Sequence, residues 1–371
     1  MSTVYLHMGM PKTGTTALQR FFAMNQEVLQ AHGFAYPIMP FRYDAIADVR
    51  NAHFMIRFRK HRKHPKWYSG FDEVKKAAAT CDNILLSDEQ LWSTQRKQGF
   101  WKRLKQGFAD IGADFKVIVY LRRQDEQAES HWNQKVKEPK SRVTMSFEEY
   151  LTAGRHNYMP FHYDEALDRI ADRIGKENLF VRAYEKGQFK NGSIFEDFLD
   201  ILGLELTEEY QLPEYTANVR LPNNAVEIKR HLNEVYPEGV PDFFYSAISE
   251  AYGMQSQTSV FGKKTSMFSP ELRREFMSQY EEGNARVARE YLGREDGRLF
   301  YDDYEALTEW NPSDREMLLE VIRVMGGIAV YLFNREEKLY ADLEEIKNTL
   351  PGRIYRKFRK IGKKDDDEKL H

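Results

Sequence analysis

The first residues of the chain that suggest chemistry lie within its first sixteen positions. A short apolar run at residues 4–6 leads into the stretch GMPKTGTT, which contains two glycines, a lysine and three threonines, two of them adjacent. Glycines let the backbone approach an anion closely, and the amides at the start of a helix point towards it. Lysine adds a mobile positive charge and the hydroxyls add donors. The residues expected to hold the anion are Pro11, Lys12, Thr13, Gly14, Thr15 and Thr16.

The order of lysine and glycine separates this loop from the common nucleotide loop. In the Walker pattern Gly-x4-Gly-Lys-Ser/Thr the lysine follows the second glycine, and the hydroxyl holds Mg²⁺ beside a polyphosphate. Here Lys12 comes before Gly14, at the bend. A glycine turn that merely joins a strand to a helix is the plain alternative, but Lys-Thr-Gly-Thr-Thr directly after a strand favours an anion site.

The loop resembles the 5′-phosphosulfate loop of sulfotransferases that use 3′-phosphoadenosine-5′-phosphosulfate (PAPS), especially a bacterial, carbohydrate-sulfotransferase-like branch. The resemblance covers about residues 1–303. It implies PAPS as the donor and adenosine 3′,5′-bisphosphate as the product, with Lys12 stabilising the bridging oxygen that leaves. A sulfuryl group bears less charge than a terminal phosphoryl group, so no metal is expected.

A second element supports the resemblance. The apolar stretch VIVYL ends in two arginines, and Ser130 follows Arg122 by eight residues, the spacing of the family's 3′-phosphate site. A guanidinium can hold two phosphate oxygens while a hydroxyl donates to a third. Surface pairing with Asp125 or Glu126 is the alternative and contributes little stability. We favour that alternative for Arg123, and the phosphate site for Arg122 with Ser130.

The reaction that the resemblance implies also needs a general base, which accepts the proton of the acceptor hydroxyl. The family places a glutamate or a histidine at the tip of the strand that lies between the two cofactor motifs, and Glu89 in NILLSDEQLW is our first assignment. Asp88 and His53 are the reserves, and His131 ranks with His53. Either carboxylate fits equally well as an acidic residue that favours the start of the next helix. His7, inside the first strand, is expected to be a packed core group.

The elements that would position these residues alternate along the chain. Strand-like runs occur at residues 3–7, 83–87, 115–121 and 178–184. Helix-like segments occur at residues 17–31, 148–153, 164–174 and 193–202. This alternation predicts a P-loop-like three-layer α/β fold, with a central parallel sheet flanked by helices and a helical C-terminal extension. Ligands of such sheets lie at the carboxyl ends of the strands, where the residues named above fall.

Composition narrows the class of protein. The net charge of −2 over 371 residues provides no global field for nucleic acid, so no nucleic-acid partner is expected. One cysteine, Cys81, excludes an internal disulfide framework and fits a reducing compartment. No apolar run approaches the roughly 20 residues of a membrane span, and the N-terminus lacks a signal-peptide pattern. A cytoplasmic location is expected, with peripheral membrane contact as an option.

Residues 1–303 are expected to form the catalytic domain, with an insertion at about 38–80 as an acceptor wall. This insertion contains a basic run made of Arg57, Arg59, Lys60, Arg62, Lys63 and Lys66, with His61 and His64. Such runs are usually solvated surface. Its position in the resemblance indicates instead an anionic acceptor, a saccharide or another glycoconjugate. Nearby aromatic residues that could stack on sugars are Phe54, Phe58, Trp67 and Tyr68.

One family feature is missing. Cytosolic small-molecule sulfotransferases close over the 3′-phosphate with a basic Arg-x-Gly-x2-Gly-x-Trp-Lys loop near the C-terminus, and the chain has no copy of it. The stretch GMQSQTSVFGKKTS, with Lys263 and Lys264, is either a substitute or a surface loop. The departure favours a carbohydrate or bacterial-type acceptor over a phenol or steroid.

The C-terminal region is predicted to be a separate element. Ser313 and Glu316 form a capping box, and a heptad of apolar residues then continues to Leu350, which predicts a long helix or helical hairpin at residues 313–350. Gly326–Gly327 would be the break of a hairpin. The apolar face of this predicted helix either packs on the catalytic domain or pairs with a second copy of the chain to form a homodimer. Residues 351–371 are basic and then acidic, a pattern of membrane contact or of a solvated tail.

Three functions follow from these patterns. The first is transfer of a sulfuryl group from PAPS to a hydroxyl or amine of an acceptor by in-line displacement. The second is a Mg²⁺-dependent nucleoside-triphosphate kinase, in which Asp88 would be the Walker acid and Lys12 a displaced phosphate lysine. The third is a non-enzymatic coiled-coil scaffold. The two cofactor motifs favour the first.

Overall fold

The computed structural model describes residues 2–41, 49–56, 65–97, 99–213, 221–235, 243–255, 265–303 and 307–349. The chain divides into two compact units. The first comprises Met1–Trp132, Met145–Thr216 and Ser266–Glu309, and the second comprises Asn133–Thr144, Ala217–Thr265 and Trp310–His371. Two segments of the predicted 1–303 catalytic domain, 133–144 and 217–265, therefore cluster with the C-terminal residues.

A five-stranded parallel sheet forms the centre of the first unit. Its strands are β1 (Ser2–Met8), β2 (Phe34–Ala35), β3 (Asn83–Asp88), β4 (Ala113–Leu121) and β5 (Leu179–Ala183). Their order is β2-β3-β1-β4-β5, and every neighbouring pair is parallel. The predicted α/β class with a parallel sheet flanked by helices is confirmed. Sequence reasoning identified four of these strands and missed β2, which has only two residues.

Fourteen α-helices occur among the described residues. They are α1 (Thr15–Met24), α2 (Gln26–Ala31), α3 (Pro65–Ala78), α4 (Leu91–Thr94), α5 (Phe100–Asp110), α6 (Gln124–Lys137), α7 (Phe147–Thr152), α8 (Tyr163–Ile174), α9 (Ile194–Ile201), α10 (Asn223–Leu232), α11 (Phe244–Gln255), α12 (Pro270–Ser278), α13 (Glu281–Leu292) and α14 (Asp314–Asn348). Two further two-residue strands are β6 (Thr265–Ser266) and β7 (Thr308–Glu309). No helix in this part of the chain is both long and apolar enough to cross a bilayer.

An aromatic core fixes α1 and α9 to the sheet. Phe21 and Phe22 of α1 are fully buried, and the ring of Phe22 lies 4.9 Å from that of Phe198 in α9. Phe198 in turn stacks on Tyr120 of β4, whose hydroxyl donates a 2.6 Å hydrogen bond to Asp197. Burial of each such ring contributes about 1.5–3 kcal/mol. The helix that follows the anion loop therefore packs, through α9, against β4, the strand that directly precedes Arg122.

α14 is one continuous helix. Ser313 accepts from the backbone of Glu316, whose carboxylate accepts from the backbone of Ser313, so the predicted capping box is confirmed. The pair Gly326–Gly327 lies within the helix and does not break it into a hairpin. Within the second unit α14 packs on α10 and α11, burying Val324 and Ile328.

His7 is a core residue, as expected from its place in β1. The ring is fully buried, shares a 2.9 Å hydrogen bond with Ser87, and meets the ring of Phe198 edge-on at 5.2 Å. Burial lowers the pKa of His7 from 6.5 to about 3, although the charge of Asp88 acts in the opposite direction. The imidazole is therefore neutral at pH 7.

Acid should destabilise the fold through His7. Because the folded-state pKa of about 3 lies below the ordinary 6.5, the unfolded chain takes up the proton first as the pH falls. The free energy of unfolding should therefore fall from pH 6.5 towards pH 3, by up to about 1.4 kcal/mol per pH unit for this one proton. In His7→Gln, denaturant unfolding across this range should show a profile that is flatter by that slope. Parallel profiles of the two proteins would contradict the buried, neutral state of His7.

Candidate functional site

The anion loop between β1 and α1 has an unusual backbone. Lys12 has a φ of 69° and Gly14 a φ of 70°, so both lie in the left-handed region. That region costs a lysine roughly 1 kcal/mol, and such strain persists only where the surroundings impose it. A Cβ on Gly14 would lie 2.8 Å from Ile194, and one on Gly9 would lie 2.7 Å from Thr15. The positive φ of Gly14 disfavours any other residue there, and a Cβ on Gly9 would crowd both Thr15 and the backbone of Glu89.

The three threonines of the loop do different things. Thr13 donates to the carbonyl of Met10 at 2.7 Å, and Thr15 donates to the same oxygen at 3.3 Å. Both are buried, whereas Thr16 is exposed in the first turn of α1. The first N–H groups of a helix have no partner within the helix. The loop therefore presents the N-terminus of α1 together with Thr16, while Thr13 and Thr15 brace the loop from within.

The loop is joined to the tip of β3. Met8 pairs with Asp88 at the end of the β1–β3 ladder, and the next amide, that of Gly9, donates to the carbonyl of Asp88 at 3.1 Å. A Cβ on Gly9 would lie only 3.1 Å from the Cα of Glu89. Desolvation lowers the pKa of Lys12; the charge of Glu89 opposes this and that of Arg122 adds to it. The ammonium, the carboxylate and the guanidinium are thus close enough to influence one another.

Arg122 contacts the anion loop directly. It follows the last residue of β4, and its Nη1 donates to the carbonyl of Lys12 at 3.3 Å, across 110 residues of sequence. Its Nε donates to Glu126 at 3.2 Å, and its own carbonyl accepts a 2.5 Å hydrogen bond from Tyr163. Two of the sequence-predicted site residues, Lys12 and Arg122, are therefore brought together.

Ser130 lies further along α6. It is partly exposed and follows Glu126 by one helical turn, so the two side chains share a face of the helix. Because Glu126 binds Arg122, this face runs from the guanidinium towards Ser130. Arg123 points elsewhere and is almost fully buried, bound to Asp125 at 2.7 Å. The expected pairing of Arg123 with Asp125 is present, but it lies in the interior rather than on the surface.

A buried charge cluster supports the tip of β3. We call the side chains of Arg50, His53, Asp88 and Glu89 the β3-tip cluster. Asp88 is fully buried and accepts four hydrogen bonds, two from Arg50 at 2.9 and 3.0 Å, one from His53 at 3.0 Å and one from the amide of Gln90 at 2.7 Å. Burial acts to raise the pKa of Asp88, but the bonds from His53 and Arg50 outweigh it and lower that pKa.

Glu89 is held by the same guanidinium. Nη1 of Arg50 donates to Oε1 of Glu89 at 3.1 Å, and the side chain of Glu89 remains 32% exposed. Burial disfavours the charge of Arg50, but the charges and bonds of Asp88 and Glu89 outweigh it and raise the pKa of Arg50. One permanently charged group thus orients two adjacent carboxylates. Of these two, only Glu89 reaches solvent.

The histidines considered as alternative bases are engaged in the interior. His53 is 2% exposed and binds Asp88, which makes it part of the β3-tip cluster. His131 shares a 2.5 Å hydrogen bond with Tyr150, and its ring stacks on Tyr158 at 3.4 Å. Tyr158 is partly buried, and desolvation is the main cause that raises its pKa. The charge of Arg122 lowers this pKa and that of Glu89 raises it. Sequence reasoning did not identify Tyr158 as a neighbour of the site.

The structure also bears on the predicted acceptor wall. Phe54 is 2% exposed and packs edge-on against Phe71 at 5.3 Å, so its suggested role in stacking on a sugar is wrong. Tyr68 is 58% exposed and remains available for such a contact. The predicted residues that lie outside the described side chains are Arg57, Phe58, Arg59, Lys60, His61, Arg62, Lys63, His64, Lys66, Trp67, Lys263 and Lys264.

Comparisons with known proteins give distant similarities. No protein-family model matches the chain. An uncharacterised protein of Archaeoglobus fulgidus is 29% identical over 180 residues, which cover 48% of this chain and 46% of that protein. The chain thus spans about half the length of the relative it matches.

Two solved structures are also similar. A sulfotransferase from Alicyclobacillus acidocaldarius has a TM-score of 0.43 and 15% identity, covering 78% of this chain and 96% of that one. The sulfotransferase domain from the curacin biosynthetic pathway has a TM-score of 0.34 and 14% identity, covering 59% and 81%. At these levels of overlap and identity, neither similarity assigns a function or a site.

The two carboxylates of the β3-tip cluster should differ sharply in their effect on stability. Asp88→Asn leaves the mostly buried Arg50 without its principal counter-ion, which should lower the free energy of unfolding by about 3–5 kcal/mol. The matched change Glu89→Gln, at a partly exposed neighbour, should cost less than about 1 kcal/mol. Urea unfolding of both variants measures the difference. Equal losses would show that Asp88 does not hold the cluster together.

Proposed function

We propose that the protein transfers a sulfuryl group from PAPS to a hydroxyl or amine of an acceptor by in-line displacement. The observation that carries this proposal is the hydrogen bond from Arg122 to the carbonyl of Lys12. It joins the anion loop to the end of β4, the two segments predicted to bind opposite ends of one nucleotide. A site with cationic groups in both segments suits a carrier with phosphate groups at both ends.

Binding of the donor would use both segments. The amides at the start of α1, with Thr15 and Thr16, would hold the 5′-phosphate, and Arg122 with Ser130 would hold the 3′-phosphate. Arg122 uses Nε for Glu126 and Nη1 for Lys12. Its Nη2 would donate to a phosphate oxygen, since guanidinium presents five N–H donors. Thr15 would first have to turn its hydroxyl from the carbonyl of Met10.

Catalysis would divide between Lys12 and Glu89. Arg50 occupies Oε1 of Glu89, so Oε2 would accept the proton of the acceptor as the acceptor atom forms its bond to sulfur. The bond between sulfur and the bridging oxygen breaks at the same time. Lys12 would stabilise the negative charge that develops on this bridging oxygen, which leaves with adenosine 3′,5′-bisphosphate.

The kinase alternative has less support from the geometry. It requires Asp88 to bind Mg²⁺ or a water of its shell. Both oxygens of Asp88 already accept two hydrogen bonds each, from Arg50, His53 and Gln90. An ionised carboxylate offers about four acceptor positions, so this side chain is saturated. The geometry therefore suits a structural anion better than a metal ligand.

The proposed acceptor is a saccharide or another anionic glycoconjugate. The proposal rests on the basic run at residues 57–66 of the sequence, whose side chains lie outside the described residues, and on the exposed ring of Tyr68. Local positive charge raises the concentration of an anionic acceptor near the site. An aromatic ring provides a flat apolar surface for the face of a sugar.

Three substitutions should separate donor binding from turnover. Lys12→Ala should lower the rate of sulfuryl transfer by at least about 100-fold, because it removes charge stabilisation in the transition state. Arg122→Ala should chiefly weaken the binding of adenosine 3′,5′-bisphosphate, by about 10- to 100-fold. Glu89→Gln should keep this binding and slow turnover by about 100-fold or more. Calorimetry without Mg²⁺ and transfer of a labelled sulfuryl group to a glycan panel give the two readouts.

Lys76→Ala provides the control, because Lys76 is 71% exposed on α3 and pairs with Glu73. It should leave both readouts unchanged. Binding of ATP only in the presence of Mg²⁺, with no binding of adenosine 3′,5′-bisphosphate, would replace the proposal with the kinase alternative. Absence of binding by either nucleotide would remove both enzymatic proposals.

The basic run should affect acceptor use alone. Replacement of Arg59, Lys60, Arg62 and Lys63 by glutamine should raise the KM for an anionic glycan by about 10-fold or more and leave the affinity for adenosine 3′,5′-bisphosphate unchanged. The KM should also rise with ionic strength in the unmodified protein. Unchanged acceptor kinetics in the variant would refute this role for the run.

A further inference from the structure

The helix α14 has two faces with apolar side chains, and among the described residues only one of them is buried by packing. Glu320, Val324 and Ile328 lie on the first face and are buried in the second unit, where α14 packs on α10 and α11. The second face lies on other positions of the helix and is exposed. We call this second face the seam; its residues are Leu318, Ile322, Met325, Ala329, Leu332, Glu336, Leu339, Leu343 and Ile346.

The seam is long, apolar and regular. Its seven large apolar side chains are between 44% and 61% exposed. Single exposed apolar residues are ordinary on a protein surface, but a continuous row of them indicates an interaction site. Successive members alternate between spacings of four and three residues, which is the 3.5-residue period of a coiled coil. From Leu318 to Ile346 the pattern lasts four heptads and about 42 Å of helix.

We propose that the seam is the interface of a parallel, two-stranded coiled coil formed with a second copy of this chain. The same heptad seam on a second copy of the helix is a complementary surface. Two copies can therefore pair through their seams without any other protein. The charges of α14 argue against an anionic membrane as the occupant. The helix carries eight acidic and five basic side chains, and such a lipid surface would repel it.

The flanking charges favour the parallel orientation. In a parallel pair, Asp342 at a g position lies opposite the partner's Lys347 at an e position, which gives an ion pair on each side. An antiparallel pair would instead set Asp342 against Val321 and Arg335 against Ile328, with no complementary charge. Lys347 now pairs with Glu344 of its own helix at 2.5 Å, and both side chains are about half exposed. An exposed pair of this kind is weak enough to exchange partners.

Glu336 occupies a core position of the seam. In a parallel, in-register pair, the two Glu336 side chains meet, and Arg335, one residue earlier in each helix, lies beside them. A single polar residue at such a position weakens the association but fixes register and strand number. The proposed dimer is therefore limited in affinity by this residue. It does not depend on the proposed enzymatic function.

Analytical ultracentrifugation of the full chain tests the proposal. The unmodified protein should sediment as a concentration-dependent dimer. The double variant Leu332→Glu, Leu339→Glu should weaken the association by at least about 100-fold, because it places charges in the interface core. Val330→Glu is the matched control, since Val330 is 50% exposed on the same helix but lies off the seam. It should leave the association unchanged, and thermal melting should show that each variant is folded.

Two further variants keep the proposal open to refutation. Glu336→Leu should tighten the association by at least about 10-fold, because it replaces facing charges with apolar packing. Ile346→Cys should form a disulfide between two copies under oxidation, since Ile346 meets the partner's Ile346 only in the parallel arrangement. A monomer at all concentrations, a dimer insensitive to Leu332→Glu, Leu339→Glu, or failure of this cross-link would overturn the proposal. Loss of binding to phosphatidylserine vesicles by that double variant, in a protein that stays monomeric, would assign the seam to a membrane instead.

Discussion

The site depends on the register of a parallel sheet. Met8 of β1 lies beside Asp88 of β3, and His7 lies beside Ile118 of β4, so the three strands end at the same edge. The anion loop and the β3 tip begin where the β1–β3 ladder stops, and Arg122 follows Leu121, the last β4 residue of the β4–β5 ladder. Backbone hydrogen bonds therefore place the chemically active side chains together, although the chain separates Lys12 from Arg122 by 110 residues. A shift of one residue in any of these ladders would move every side chain of the shifted strand to the opposite face of the sheet.

Charge then fixes the orientation of the side chains at that edge. Arg50 donates two hydrogen bonds to the buried Asp88 and one to the partly exposed Glu89. Because a bidentate pair between guanidinium and carboxylate has a defined plane, the third donor has a defined direction. The buried Asp88 thus fixes the orientation of Arg50, which in turn orients the solvent-exposed carboxylate of Glu89. On the cationic side of the site, Arg122 is held by Glu126, which accepts from its Nε, and by Tyr163, which donates to its carbonyl.

Four of the five strands of the central sheet were predicted from the sequence, whereas the β3-tip cluster was not. Four strands, and helical segments that correspond to α1 with α2, α7, α8, α9 and α14, were predicted from the sequence, and the capping box at Ser313 follows from local spacing. The helices α3, α5, α10 and α11 were not predicted. β2 was missed because two residues give no period. The role of Asp88 as a saturated structural anion was not predicted, because it is set by Arg50 and His53, which contact it from 38 and 35 residues away. Such pairings follow from the tertiary path of the chain and leave no local pattern.

A crystal structure with adenosine 3′,5′-bisphosphate, grown without a divalent metal, would show whether one nucleotide contacts both Lys12 and Arg122. The account predicts one nucleotide that spans the two segments, with its 5′-phosphate at the N-terminus of α1 beside Lys12. Its 3′-phosphate should lie within hydrogen-bond distance of Arg122 and Ser130. A nucleotide bound elsewhere, or one that reaches the loop while its other phosphate lies away from Arg122 and Ser130, would contradict the account.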